Sequence, residues 1–126
     1  MKVLIVALPQ KISKNQFEPL ELAPMAIYLL ASILMKNKHE VSIIDPCEFI
    51  QYEHKGDIEE LCAQYIMKKI SSKDIQLIAF SVNSFNWSNT KVIIQRIADN
   101  FPDVKIALGG LHPSIFDKHV LESSDA

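Results

Sequence analysis

A parallel sheet wound with helices on both faces, an α/β fold, is predicted for this chain of 126 residues by three observations. Short apolar runs alternate with longer segments of helical periodicity, in the order βαβαβαβα. The strand runs are apolar at almost every position rather than every second one, as in strands covered on both faces. No composition shift, repeat or low-complexity tract divides the sequence. One domain over residues 1–126, with a radius of gyration of about 14 Å, is therefore expected.

Each element has its own reason. Val3 to Leu8 is an unbroken apolar run rich in β-branched residues. Residues 9–20 are polar or proline-containing and read as a loop. Glu21 to Lys36 is helical, Pro24 being tolerated because it falls in the first turn. The apolar residues Leu22, Met25, Ala26, Leu29, Leu30, Ile33 and Leu34 cover well over half its circumference, so a heavily buried helix is expected. Asn37 suits the left-handed position that stops it, and Lys36 and Lys38 suit its negative end. A strand follows at Glu40 to Ile44, closed by Asp45-Pro46, then a helix over Asp57 to Ile70. Ile75 to Phe80 is a third buried strand, Trp87 to Asn100 a helix, and Val104 to Leu108 a fourth strand. Gly109-Gly110 breaks that strand, and a short helix spans Ser114 to Leu121. A doubly wound sheet usually carries a fifth strand. A chain ending after this helix is either a four-stranded variant or a piece of a longer protein with its last strand cut away, and the second is the expectation.

Composition narrows the function. Thirteen basic and 15 acidic residues give a net charge of −2, which offers no footprint for nucleic acid. No apolar run approaches the roughly 18–20 residues that cross a bilayer, and no small-residue cleavage site follows the short apolar start. A cytoplasmic protein without nucleic-acid or membrane partners is expected. Cys47 and Cys62 have no metal-ligand spacing and read as two buried thiols. No metal site is expected.

Sheets of this class bind ligands beyond the carboxyl ends of their strands, so the loops at 9–20, 81–88 and 109–113 matter most. The first contains no glycine, which excludes a dinucleotide pyrophosphate site there. The third strand ends Ala79-Phe80-Ser81 without the Asp of a phosphoacceptor domain. The next loop, Ser81-Val82-Asn83-Ser84-Phe85-Asn86-Trp87-Ser88, combines small polar side chains with two aromatics, which suits a large planar ligand with polar edge groups. Its Asn and Ser residues serve equally well as caps and turn formers, and Phe85 and Trp87 equally well as core. Gly109-Gly110 reads either as a tight turn or as a flat surface for close ligand approach. His112 is the histidine nearest this edge, and Asp45 reads as a ribose contact or a turn starter. No acid–base pair or nucleophile constellation appears, so no catalytic residue is expected in this chain.

At these residues the sequence resembles the N-terminal cobalamin-binding domain of cobalamin-dependent radical S-adenosylmethionine enzymes. The similar features, in order, are Lys2-Val3-Leu4-Ile5, Pro19-Leu20-Glu21-Leu22-Ala23 and His39-Glu40-Val41 leading to Asp45. Then come Ile78-Ala79-Phe80-Ser81, Phe101-Pro102-Asp103-Val104-Lys105 and Gly109-Gly110-Leu111-His112-Pro113-Ser114. Glu21 stands where this family often has Gly, and Leu111 where it often has proline. The resemblance implies a flavodoxin-like (Rossmann-like) sheet of cobalamin-binding topology. It further implies that Ser81, Asn83, Ser84, Gly109 and Gly110 line a pocket for the nucleotide tail of cobalamin. Phe85, Trp87 and the loop from Leu8, Pro9 and Gln10 to Ile12 would face the corrin, and His112 joins the candidate set. The D-x-H-x-x-G loop that supplies a lower cobalt ligand in the methionine-synthase type is missing, which fits radical enzymes that leave this face without histidine. The C-x-x-x-C-x-x-C motif is also missing. A 4Fe-4S cluster and S-adenosylmethionine would therefore belong to a radical domain beyond Ala126, the expected partner of this one. The parent enzyme implied is a methyltransferase or a ring-forming enzyme, such as the anaerobic magnesium-protoporphyrin monomethyl ester cyclases. The alternative is a flavodoxin-like interaction or regulatory domain that kept the scaffold and lost its ligand.

Overall fold

The structure, a computed structural model, describes residues 1–18 and 25–124. Four parallel strands form one sheet: β1 (Lys2–Ala7), β4 (Glu40–Ile44), β5 (Leu77–Ser81) and β6 (Lys105–Gly109), in the order β4-β1-β5-β6. The chain moves from β1 to one neighbour and then back across β1 to the other. With right-handed crossovers, this reversal puts α1 (Met25–Lys36) on one face and α2 (Ile58–Lys73) and α3 (Trp87–Asn100) on the opposite face. The parallel α/β architecture is the flavodoxin-like one expected, and its switch point lies at the carboxyl ends of β1 and β5.

Two unequal cores follow. Leu4, Val6, Ile78 and Phe80 pack with Ile58, Cys62, Ile66, Ile93 and Ile97 under α2 and α3. On the other face, among the described residues, Ile27 and Ala31 of α1 are buried against Val3, Ile5 and Ala7, with Leu34 packed beside them. The heavily buried α1 expected from its apolar sequence is therefore not observed: Met25 is 74% exposed, Leu29 66% and Met35 61%. The physical reason is coverage. One helix, resting on β1 and β4, serves a face that two helices serve on the opposite side. Among the described residues no helix is long and apolar enough to cross a membrane.

Several boundaries differ from expectation. The expected loop at 9–20 holds an antiparallel hairpin, β2 (Lys11–Ser13) with β3 (Gln16–Phe17). Phe17 anchors it in the core, while Lys11 pairs with Glu59 and the Phe17 N–H donates to Glu53 Oε1. Period-two patterning is invisible in elements of three and two residues. The expected final helix is two short ones, α4 (Leu111–Ile115) and α5 (Asp117–Ser123). Lys38, not Asn37, takes the left-handed position after α1, at φ 67°. The expected start of that helix at Glu21, with Leu22 and Pro24, lies outside the described residues, as does the Pro19–Ala23 segment.

Asp45 acts as a cap. It opens a 3-10 helix over Pro46–Tyr52 through a capping box with Glu48, and the Tyr28 hydroxyl donates to its Oδ2 at 2.6 Å. Burial alone would raise this carboxyl, but the hydroxyl of Tyr28 and the N–H of Cys47 outweigh it and hold the pKa below the usual range. The two cysteines do not share the buried state expected of both. Cys62 is buried, which pushes its thiol up to about 12, whereas Cys47 is exposed.

Candidate functional site

Three neighbouring strands end in the same way. Leu4-Ile5-Val6-Ala7, Ile78-Ala79-Phe80-Ser81 and Ile106-Ala107-Leu108-Gly109 run in register, with Ala7 beside Ser81 and Ser81 beside Gly109. Side chains alternate between faces. The large residues of these segments, Leu4, Val6, Ile78 and Phe80, fill the core under α2 and α3, with Ile106 and Leu108 packed against it. The small ones, Ala7, Ala79, Ser81, Ala107 and Gly109, fall on the α1 face. One face of the sheet is thereby hollowed at its carboxyl end.

The result is an open groove of about 270 Å³. Its floor is Ile5, Ala79 and Ala107, and its wall is Ala26, Ile27 and Leu30 of α1. Ser81, Gly109 and Gly110 form its upper end. Among the described residues the Ser81 hydroxyl has no hydrogen-bond partner, while the Ser81 carbonyl accepts from Asn86 Nδ2 at 3.5 Å. The two glycines have different reasons for being glycine. Among the described residues, a Cβ at Gly109 would meet nothing within 4 Å, so its absence leaves open space in the groove. Gly110 has φ +105°, and a Cβ there would lie 2.5 Å from the Val82 carbonyl oxygen.

The Ser81 loop and the glycine turn are bound together. Val82 N–H donates to the Gly109 carbonyl at 2.8 Å, and His112 N–H donates to the Val82 carbonyl at 3.3 Å. Ser84 Oγ and His112 Nδ1 are 3.0 Å apart. The His112 ring, only 8% exposed, stacks on Trp87 at 5.2 Å and tilts against Phe116 at 5.0 Å. Its Nε2 is buried without a partner among the described residues.

The sequence-derived candidates therefore divide into groups. Ser81, Gly109 and Gly110 share the groove, while Ser84, Trp87 and His112 form the clasp beside it. Asn83 shapes its own loop, its Oδ1 accepting from the N–H groups of Phe85 and Asn86 at 2.9 Å. Phe85 is 70% exposed at the loop tip. Leu8 and Trp87, expected to face the corrin, are core residues, because both pack into the larger cluster. Pro9 is buried too, its carbonyl accepting from Asn89 Nδ2, and the Gln10 carbonyl accepts from Glu18 N–H across the hairpin. None of Leu8, Pro9 and Gln10 lines the groove.

Sequence reasoning missed Ala79, Ala107 and the α1 wall, and it missed the part played by Asn86. The Asn and Ser residues of this loop were read as possible caps or turn formers, but the Asn86 side chain makes no cap bond at the start of α3. It is 4% exposed, accepts from Asn83 N–H at 2.9 Å and donates to the Leu8 carbonyl at 3.0 Å. Asn86→Ala leaves that carbonyl and that N–H unpaired, and we expect a loss of about 2–3 kcal/mol in denaturant unfolding.

The chain matches the family model of the B12 binding domain over residues 19–126. No curated protein and no solved structure gives a significant match. The matched segment contains three of the four strands and most of the groove, including Ser81 and both glycines of its upper end. Fold, groove and family model point the same way, and the chain belongs to the B12 binding domain family.

Proposed function

We propose that the domain holds a corrinoid with its nucleotide tail laid in the groove between α1 and the β1–β5–β6 end of the sheet, away from the cobalt. The observation that carries this reading is the open space at Gly109, in a groove walled by apolar side chains and topped by a serine hydroxyl that is unpaired among the described residues. These residues fit such a group: the small side chains of Ala79 and Ala107 give a flat floor, and Ser81 offers one polar contact.

The protein's own work is to bind and orient. The clasp of Ser84, His112 and Trp87 keeps the two turns at a fixed separation, so the groove is preformed and little ordering is lost on binding. No histidine lies between Pro9 and Glu18. His112 is buried against two aromatics with Nδ1 engaged, so it is not presented as a lower ligand. A corrinoid held by Ser81, Gly109 and Gly110 in this way would supply cobalt chemistry suited to methyl transfer or ring-forming radical reactions. The resemblance to radical S-adenosylmethionine enzymes supports placing this domain beside a radical domain that brings its own iron–sulfur cluster and S-adenosylmethionine.

The test is anaerobic purification of the complete gene product with cobalamin, read by absorption and electron paramagnetic resonance. A retained corrinoid with a base-off spectrum and no nitrogen hyperfine splitting is expected. A corrinoid-free protein, or one showing axial nitrogen ligation, overturns the reading.

A further inference from the structure

We propose that the groove selects corrinoids by the polarity of their lower base, accepting benzimidazole- and phenol-type bases and disfavouring purines. This rests on the tail-in-groove reading above and adds the chemical class of tail that the groove takes. The lining presents few free polar side-chain atoms. Ile5, Ala79 and Ala107 below, and Ile27 and Leu30 beside, carry no polar side-chain atom. The glycine carbonyls are already engaged: that of Gly109 accepts from Val82 N–H at 2.8 Å, and that of Gly110 from Ser114 Oγ at 2.7 Å. Among the described residues, the side-chain group left to meet a ligand is the Ser81 hydroxyl.

A benzimidazole carries two ring nitrogens, one of them committed to the sugar, and a phenol carries only its linking oxygen. An adenine adds two further ring nitrogens and an amino group. One hydroxyl can pair with one of these. The rest lose water on entering an apolar groove and gain no side-chain partner among the described residues, and each polar group so stranded weakens binding by on the order of tenfold. Apolar matching thus works here by excluding polar rings rather than by reading a specific edge.

The experiment compares three cobamides on the complete gene product: dimethylbenzimidazolyl, cresolyl and adeninyl. Equilibrium binding is followed anaerobically by quenching of Trp87, the only tryptophan of this domain, and by corrinoid retained after gel filtration. The first two are expected to bind within a few-fold of each other, and the adeninyl form on the order of tenfold or more weakly. Ala107→Ser adds a second hydroxyl to the exposed floor and should narrow that gap several-fold without altering thermal unfolding. Equal or tighter binding of the adeninyl form overturns the selectivity while leaving tail binding intact. Retention of none of the three removes the tail-in-groove reading, and the selectivity with it.

Discussion

Gly109→Phe is expected to abolish corrinoid retention, with affinity falling on the order of 100-fold, about 2.8 kcal/mol, while the protein stays folded. Retained folding ties the loss to the groove rather than to the stability of the chain. Gly109 has no positive φ, and among the described residues a Cβ there meets nothing within 4 Å, so no local contact demands glycine. Its strand neighbour Leu108 packs against the core under α2 and α3, so alternation turns position 109 toward α1 and into the groove. A graded series tests this. Gly109→Ala should raise stability by about 0.4–1 kcal/mol, because the unfolded chain loses freedom that the native strand never used. Val and Phe should then fill the groove by increasing amounts. Corrinoid retention falling along the series while unfolding midpoints hold or rise is the signature of a glycine kept for its ligand. Parallel loss of both would mean that Gly109 is structural and the groove is misassigned.

Much of this molecule is legible in its sequence, and the reasons separate by length scale. The strands at Glu40–Ile44 and the helix at Trp87–Asn100 have the bounds expected of them, because ten or more residues of clear periodicity, or a run closed by Asp-Pro, leave little freedom. The groove is partly legible too. Ile78-Ala79-Phe80-Ser81 and Ile106-Ala107-Leu108-Gly109 repeat one large–small alternation, and its register across β5 and β6 is what hollows the sheet. Ser81 and Gly109 stand out as loop markers, but Ala79 and Ala107 look like ordinary strand filler until the strands are set side by side. Trp87 and Leu8 illustrate the converse. Both flank loops at the ligand edge, yet each is drawn into the core by partners far away in sequence, and no local pattern encodes that. The coverage of α1 is non-local in the same way. Its apolar residues predict burial, but how many are buried depends on what else packs on that face, and among the described residues little does.

Gly110→Ala, one residue further on, should do the opposite of Gly109→Ala. Its backbone, at φ 105° and ψ −172°, sits in a region essentially confined to glycine, where any side chain costs about 1–3 kcal/mol. Steric conflict adds to this, since a Cβ would lie 2.5 Å from the Val82 carbonyl oxygen and 3.0 Å from its nitrogen. Those two atoms are the ones that bind the loop to the turn: the Val82 N–H donates to the Gly109 carbonyl, and its carbonyl accepts from His112. Neither can retreat without breaking a hydrogen bond that holds the Ser81 loop against the glycine turn. The expected cost is therefore about 3 kcal/mol or more, seen as a lower denaturation midpoint at unchanged m-value. Corrinoid loss should accompany it as a consequence of the disturbed clasp. Osmolytes that favour the compact state should then restore retention in Gly110→Ala together with the fold, and should not restore it in Gly109→Phe. Two adjacent glycines with opposite responses to the same kind of substitution would separate the residue that holds the site together from the residue that keeps it open. A Gly110→Ala protein as stable as the parent would mean that this turn is not built as described.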